Sequence, residues 1–184
     1  MKHKKGITLI EVLVTIGLTS TIVYLVVYSL INGLQSSEYN YNRFKISSSL
    51  DSALNDISKY LLLANNLPNS LIYDGEEYIN DSDTLIINLP SIHSDGSVIN
   101  SFFDSIIYDY NPNDNQVRQL VLPNSESYRN YKNNVILSDV SSVTFNQNLT
   151  SKGVVENINI SIDSTSFGKN SDYSLSRSVR MRNQ

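Results

Sequence analysis

The sequence contains no cysteine and no tryptophan, and only two histidines, His3 and His93, among its 184 residues. Without cysteine, a disulfide scaffold, thiolate metal ligands and a cysteine nucleophile are excluded. With two imidazoles, a histidine-based metal site or a Ser-His-Asp triad is hard to assemble. No phosphate-binding loop, nucleophile elbow or metal-binding motif is present. We therefore expect no enzymatic activity and no cofactor.

An excess of positive charge is also lacking. The chain has 14 Lys+Arg against 18 Asp+Glu, a formal net charge of −4, which argues against wholesale binding of nucleic acid. Hydrophobic residues make up 40% of the chain, enough for a modest core. The length suits one domain of ordinary size with residues to spare for an anchor.

The N-terminal segment has a long apolar run. Three lysines precede Gly6, and the twenty residues Val12–Ile31 contain no charge. As a helix that run is about 30 Å long, the thickness of a bilayer core. By the positive-inside rule the N-terminus stays in the cytoplasm and the rest of the chain lies outside. Glu11, at the edge of the run, is costly in lipid and is expected to have a partner.

Two ordinary explanations of this segment remain open. A secretory signal peptide requires a shorter apolar stretch and a small-residue cleavage site, for which the sequence Asn32–Gln35 is poor. A plain single-pass anchor explains the hydropathy but explains neither Gly6 nor Glu11.

The segment Lys5–Val14, with the sequence KGITLIEVLV, resembles the N-terminus of type IV prepilins and of the pseudopilins of type II secretion and competence systems. The resemblance implies that a prepilin peptidase cleaves between Gly6 and Ile7 and that Ile7 is then N-methylated. Other pilin or pseudopilin subunits and assembly platform proteins in the membrane are the implied further partners. Glu11 would become the fifth residue of the mature chain.

A physical role for Glu11 fits this resemblance. When subunits stack with an axial stagger, Glu11 of one can meet the free amine at Ile7 of its neighbour, so that two charges costly in lipid offset one another. The simpler alternative is that Glu11 reaches the lipid headgroups. Two departures from the family pattern occur: Ile7 replaces the commoner Phe, and Tyr28 stands where major pilins have Pro. The second favours a minor pilin or a pseudopilin.

The helical pattern continues beyond the apolar run. Apolar residues recur at spacings of three and four on one face, at Ile46, Leu50, Leu54, Ile57, Leu61 and Ala64. Asn65-Asn66 and Pro68 end the pattern. The sequence predicts a single helix from Ile7 to about Asn65, whose second half packs on a globular head. Two helices broken near Asn32-Gly33 are the alternative.

After Pro68 the pattern changes to strands. Asn111–Asn115 has the composition of a five-residue hairpin connection. Arg177 interrupts an apolar face, which predicts a bulge, an edge position or a carboxylate partner. The predicted strands are Thr84–Leu89, Asp104–Tyr110, Gln116–Leu122, Asn134–Leu137, Ser142–Phe145, Asn157–Asp163 and Tyr173–Met181.

The fold class expected is therefore α+β, with a long N-terminal helix packed on an antiparallel β-sheet head. We predict a leader peptide at 1–6, a transmembrane helix at 7–34, an amphipathic continuation at 35–66 and the head at 67–184. The middle of the head, around Gln116-Val117-Arg118, and the ending from Tyr173 to Arg182-Asn183 resemble J-type pseudopilins and W-type minor pilins. That resemblance implies a place in a complex at the filament tip that helps to initiate assembly.

Several polar residues of the head are candidates for a binding or catalytic site. His93 lies in a turn-like segment, where a solvated role is favoured. The pairs Glu76-Glu77 and Asp81/Asp83 and the turn Asn111–Asn115 offer oxygens to calcium, but none has the ligand spacing of a known loop. A structural or solvated role is also favoured for the basic group Arg177, Arg180 and Arg182, with contact to a partner subunit or DNA as the alternative.

The sequence thus predicts a minor pilin or minor pseudopilin, a single-pass protein of the cytoplasmic membrane whose head is extracytoplasmic. It would then enter, or cap, a filament at the cell surface or in the periplasm. Two alternatives remain: a filament-displayed module that binds DNA or a surface, and a plain anchored protein with no filament role. Neither DNA nor a metal is specifically indicated.

Overall fold

The structure is a computed structural model that describes residues 8–149, 155–165 and 172–181. These residues form one helix and nine strands, in the order α1 (Leu9–Leu63), β1 (Ser70–Tyr73), β2 (Glu76–Ile79), β3 (Thr84–Ile92), β4 (Val98–Asn111), β5 (Gln116–Leu122), β6 (Lys132–Ser138), β7 (Val140–Leu149), β8 (Val155–Thr165) and β9 (Asp172–Arg180). The chain divides into two compact units, residues 1–44 and 45–184.

Helix α1 is continuous over 55 residues. The prediction of one long helix is confirmed, and the alternative of two helices broken near Asn32-Gly33 is wrong. Gly17 and Gly33 face open space, and no proline interrupts the helix. The helix ends two residues before the predicted Asn65, because the amide of Asn65 bonds to the carbonyl of Asn88 (2.8 Å) and Asn66 forms a β-bridge with Asn88. The predicted start at Ile7 lies outside the described residues.

The second half of α1 supplies one side of the main core. The predicted apolar face is confirmed, since Ile46 is partly buried and the other five positions are buried. Burial of each Leu or Ile contributes about 1.5–3 kcal/mol. The opposing side chains come from both large sheets, among them Leu85, Tyr108 and Ile160.

Strands β3-β4-β5-β6 form an antiparallel four-stranded sheet. A hairpin made of β1 and β2 covers a second apolar cluster on this sheet, formed by Ile86, Ile107 and Leu120. Its turn, Asp74-Gly75, has positive φ at both residues (53° and 84°), the conformation that a two-residue hairpin favours. These two short strands were absent from the predicted set.

The predicted limits of three strands, β3, β4 and β7, were wrong by three residues or more, and β7 extends over Val140–Leu149 where Ser142–Phe145 was predicted. Strand β3 does not stop at Leu89 but continues through Pro90, which is tolerated because β3 is an edge strand and its register with β4 shifts after Pro90. For its part, β4 begins at Val98 and not at Asp104. The β4–β5 connection, predicted to be five residues, is shorter by one because Asn111 pairs with Gln116.

Strands β7-β8-β9 form a separate antiparallel sheet. In β8 the predicted alternation is confirmed, because Ile158, Ile160 and Ile162 are buried. Asp139, at a φ of 60°, turns the chain between β6 and β7 and so separates the two sheets. The α+β fold class is confirmed, with the strands divided between two large sheets and a hairpin.

Candidate functional site

The N-terminus of α1 is organised by Thr8 and Glu11. The Thr8 amide and hydroxyl donate to Oε2 of Glu11 at 3.0 and 3.2 Å, and the Glu11 amide approaches the Thr8 hydroxyl oxygen at 3.4 Å. This reciprocal arrangement is a capping box, and Glu11 also lies at the positive end of the helix dipole. The Thr-Leu-Ile-Glu spacing is its sequence signature, which the sequence analysis did not use. Gly6 and Ile7 lie outside the described residues.

The apolar run of α1 is exposed within its own unit. No residue of Val12–Ile31 is buried, and among the described residues α1 is the one helix long and apolar enough to cross a membrane. Its hydroxyl groups bond to the helix itself: Thr15 donates to the Glu11 carbonyl at 2.6 Å and Thr19 to the Thr15 carbonyl at 2.7 Å. Such bonds satisfy the hydroxyls without water, as lipid surroundings require.

Tyr28 lies in the exposed apolar run of α1. Its ring stacks on that of Tyr24, with the centroids 6.2 Å apart, and α1 passes through this region unbroken.

In the head, the carboxylate of Asp104 is fully buried and accepts hydrogen bonds from two segments, β3 and the loop after β5. Oδ1 accepts from the Ser91 hydroxyl (2.8 Å) and the Asn124 amide (2.9 Å), and Oδ2 accepts from the Ser127 hydroxyl (2.8 Å) and from Arg129. Burial alone would raise the pKa of Asp104, but these hydrogen bonds together lower it below its ordinary value. The group fixes the end of β3 and the loop after β5 to the middle of β4.

A second polar group joins α1 to the four-stranded sheet. The Tyr108 hydroxyl donates to Oδ2 of Asp56 at 3.2 Å, and Nε2 of Gln119 donates to the same oxygen at 2.7 Å and to the Tyr108 hydroxyl at 2.9 Å. Tyr108 is completely buried. Burial and the Asp56 charge raise its pKa, so it remains a neutral donor.

Of the predicted basic group at the end of the chain, the two described arginines have different partners. Arg177 lies on the edge strand β9, where it approaches Asp51 at 3.8 Å and donates to the Asn55 side chain, so the predicted edge position and carboxylate partner are confirmed. Arg180 pairs with Glu156 at 3.3 Å and is 77% exposed. Arg182 lies outside the described residues.

The residues weighed for metal binding do not form a cluster. Over residues 8–149, 155–165 and 172–181, no three His, Asp or Glu side chains come together as a metal site would require. Oδ1 of Asp81 accepts from the amides of Asp83 and Thr84, and Asp114 pairs with Arg118. Each of these two carboxylates therefore bonds to residues of its own turn or of the adjoining strand. His93 is exposed, and its amide bonds to the Ser97 carbonyl within a turn.

Sequence reasoning missed the Asp104 and Asp56 groups. The sequence predicts Asp104 as the first residue of a strand and predicts no role for Asp56. A signal was present for each: Asp104 adjoins the apolar run of β4, and Asp56 adjoins Ile57 of the buried face. Their donors are distant in sequence, so the pairing could not be predicted from spacing.

The chain matches no protein-family model and no curated protein sequence.

Proposed function

We propose that this chain is a minor pilin or minor pseudopilin, a subunit that assembles into or at the tip of a type IV pilus-like filament. The main support is the continuity of α1, whose charge-free, exposed apolar run follows the Gly6–Glu11 motif and extends without a break into the helix that packs on the head. A plain anchor needs the apolar run but needs neither the motif nor this continuity.

Processing supplies the means of assembly in this proposal. Cleavage after Gly6 leaves the apolar helix intact and creates an amine at Ile7, close to the positive end of α1. The Glu11 carboxylate is then shared between its own helix cap and the amine of a staggered neighbour. Because both charges are costly in lipid, their pairing sets the register of helix packing.

The basic residues before Gly6 place the N-terminus in the cytoplasm and the head outside the cytoplasmic membrane. In this proposal the prepilin peptidase, sister subunits and the assembly platform are the partners of the chain. The head then selects neighbours in the filament.

Glu11 allows the proposal to be tested, because its cap role and its charge role can be separated. Glutamine also serves at this position of a capping box, so Glu11→Gln keeps the cap and removes the charge. We expect membrane levels to be unchanged and incorporation into filaments sheared from the host to fall at least tenfold, about 1.4 kcal/mol of assembly energy. Glu38→Gln, the same change in an exposed residue of α1, is the control. Normal incorporation of Glu11→Gln would limit Glu11 to capping.

A second candidate function, display of a binding surface, is favoured by an exposed apolar patch. Opposite Pro90 and Ser91, β4 contains extra residues that include Ser101 at a φ of 68°. Phe102 and Phe103 beside it are 44% and 41% exposed. Strained backbone next to exposed aromatic rings is typical of binding sites.

The two candidate functions predict different effects of changing this patch. Replacing both Phe102 and Phe103 by Ser would abolish attachment of filament-bearing cells to a surface and leave incorporation of the chain unchanged if the patch serves display. Loss of incorporation would instead assign the patch to contacts between subunits.

A further inference from the structure

A polar cleft of about 550 Å³ lies in the head between α1 and the four-stranded sheet. We call it the Asp56 cleft. Its lining includes three serines of α1 together with Asp56, and Gln119 and Ile136 on the sheet side; the serines are Ser48, Ser49 and Ser52. No lysine or arginine is among the lining residues, so the charge in the cleft comes from one carboxylate.

The carboxylate of Asp56 is held in place by two hydrogen bonds from the sheet. Both hydrogen bonds that Asp56 accepts, from Tyr108 and from Gln119, end on Oδ2. None of the four ion pairs of the described residues includes Asp56. Oδ1 is therefore left as an oriented acceptor without a charged partner.

Gln119 gives an independent indication of a ligand. Gln119 is buried, with 5% of its surface exposed. Its Nε2 group donates one hydrogen bond to Asp56 and one to Tyr108. Within the described part of the chain every fully enclosed side-chain polar atom has a partner, and no described hydrogen bond ends on Oε1 of Gln119. The Oε1 atom is therefore open to the cleft as a second oriented acceptor.

The chemistry of these acceptors selects the ligand. Separate oxygens from a carboxylate, an amide and serine hydroxyls suit a compact ammonium group, which has three donors. A guanidinium prefers both oxygens of one carboxylate, and here Oδ2 already accepts two bonds. The cleft is larger than an ammonium ion alone, so it accommodates the aliphatic stem of a lysine, which can pack on Ala53 and Ile136.

The charge of the head favours a basic partner. From residue 45 onward the sequence has ten Lys+Arg and sixteen Asp+Glu, a formal charge of −6. Such a field attracts a cationic segment during encounter.

We propose that the Asp56 cleft binds a lysine side chain of a partner protein, with the ammonium group between Oδ1 of Asp56 and Oε1 of Gln119. This inference does not depend on filament assembly, because the cleft lies wholly within the head.

The test uses the full-length ¹⁵N-labelled chain in detergent micelles and a blocked Gly-Gly-Lys-Gly-Gly peptide as the probe. The side-chain NH₂ resonances of Gln119 report on the cleft during titration. We expect a saturable shift with a Kd in the millimolar range or below, weakened by added salt. The same peptide with norleucine in place of lysine, which keeps the stem and lacks the charge, should cause no saturable shift.

Two variants locate the binding. Asp56→Asn retains an oxygen for the Tyr108 and Gln119 donors but removes the charge. This variant should raise the Kd of the lysine peptide at least tenfold. Asp51→Asn, the same change on an exposed part of α1, should leave the Kd within twofold. The proposal is overturned if the norleucine peptide binds equally, if Asp51→Asn weakens binding as much as Asp56→Asn, or if the wild-type chain shows no shift up to about 20 mM peptide.

Discussion

At the residue scale, the head depends on a few buried polar side chains whose donors come from distant segments. Asp104 is the clearest case, because four donors from β3 and from the loop after β5 converge on its two oxygens. A buried carboxylate is tolerated only when it is fully paired and hydrogen-bonded. The same side chain also supports the bulge of β4, on which Phe102 and Phe103 are exposed.

Replacing Asp104 by Ala should therefore destabilise the head strongly. The change removes the carboxylate that accepts from Ser91, Ser127 and Arg129, and removal of one partner of a buried ion pair costs about 3–5 kcal/mol. Urea unfolding of the full chain in micelles, followed by tyrosine fluorescence, measures the loss. Asp114→Ala, whose pair with Arg118 is exposed on both sides, should cost less than about 1 kcal/mol. Equal costs for the two variants would contradict the role given to Asp104.

The lowered pKa of Asp104 also predicts a pH dependence. In the unfolded chain the carboxyl titrates at its ordinary value of 3.8, and in the folded chain it titrates lower. Its stabilisation is thus complete above about pH 5 and is lost as the pH falls through 3.8 to the folded pKa. The difference in urea midpoint between the wild-type chain and Asp104→Asn should be largest near neutral pH and should shrink below pH 4. A difference that does not change with pH would show that the Asp104 charge makes no contribution.

At the element scale, α1 has two parts with different surroundings. Before residue 45 its apolar side chains are exposed within their unit, and from Leu50 onward one face is buried against both sheets. Only the second part is held by tertiary packing, since a helix in water gains most of its stability from a buried apolar face. The first part has the composition of a segment whose surroundings are lipid or other helices.

Two leucines in the second part of α1 compare its buried face with its exposed face. Leu54 is completely buried and Leu63 is 50% exposed. Leu54→Ala should lower the free energy of unfolding by about 2–5 kcal/mol, because it removes buried contacts and leaves a cavity. Leu63→Ala should change it by less than about 1 kcal/mol. The same urea titration compares them, and a cost for Leu63→Ala as large as that for Leu54→Ala would mean that the helix face is wrongly assigned.

The helix and most strands could be predicted because their signals are local. The face from Ile46 to Ala64 repeats at helical spacing, and the alternation of Ile158, Ile160 and Ile162 specifies a half-buried strand. The continuation of β3 through Pro90 could not be predicted, because it depends on β3 being an edge strand. Nor could the convergence on Asp56 of Tyr108 and Gln119, which lie 52 and 63 residues away in the chain.

At the scale of the whole molecule, the two compact units correspond to two kinds of interaction. The unit of residues 1–44 contains the Gly6–Glu11 segment and the apolar run, and the unit of residues 45–184 contains the folded head with the Asp56 cleft and the exposed aromatic patch. In the proposed function the first supplies the membrane and filament contacts common to all subunits. The second supplies the contacts that distinguish this subunit from its neighbours.

The central claim is that the chain is processed as a prepilin, and its intact mass tests that claim most directly. The protein would be extracted from membranes of its own host and measured whole. The account predicts a mass that lacks Met1–Gly6 and includes one added methyl group, located on Ile7 by fragmentation. A mass that retains Met1–Gly6, in cells whose prepilin peptidase is active, would contradict the account and leave a plain membrane anchor.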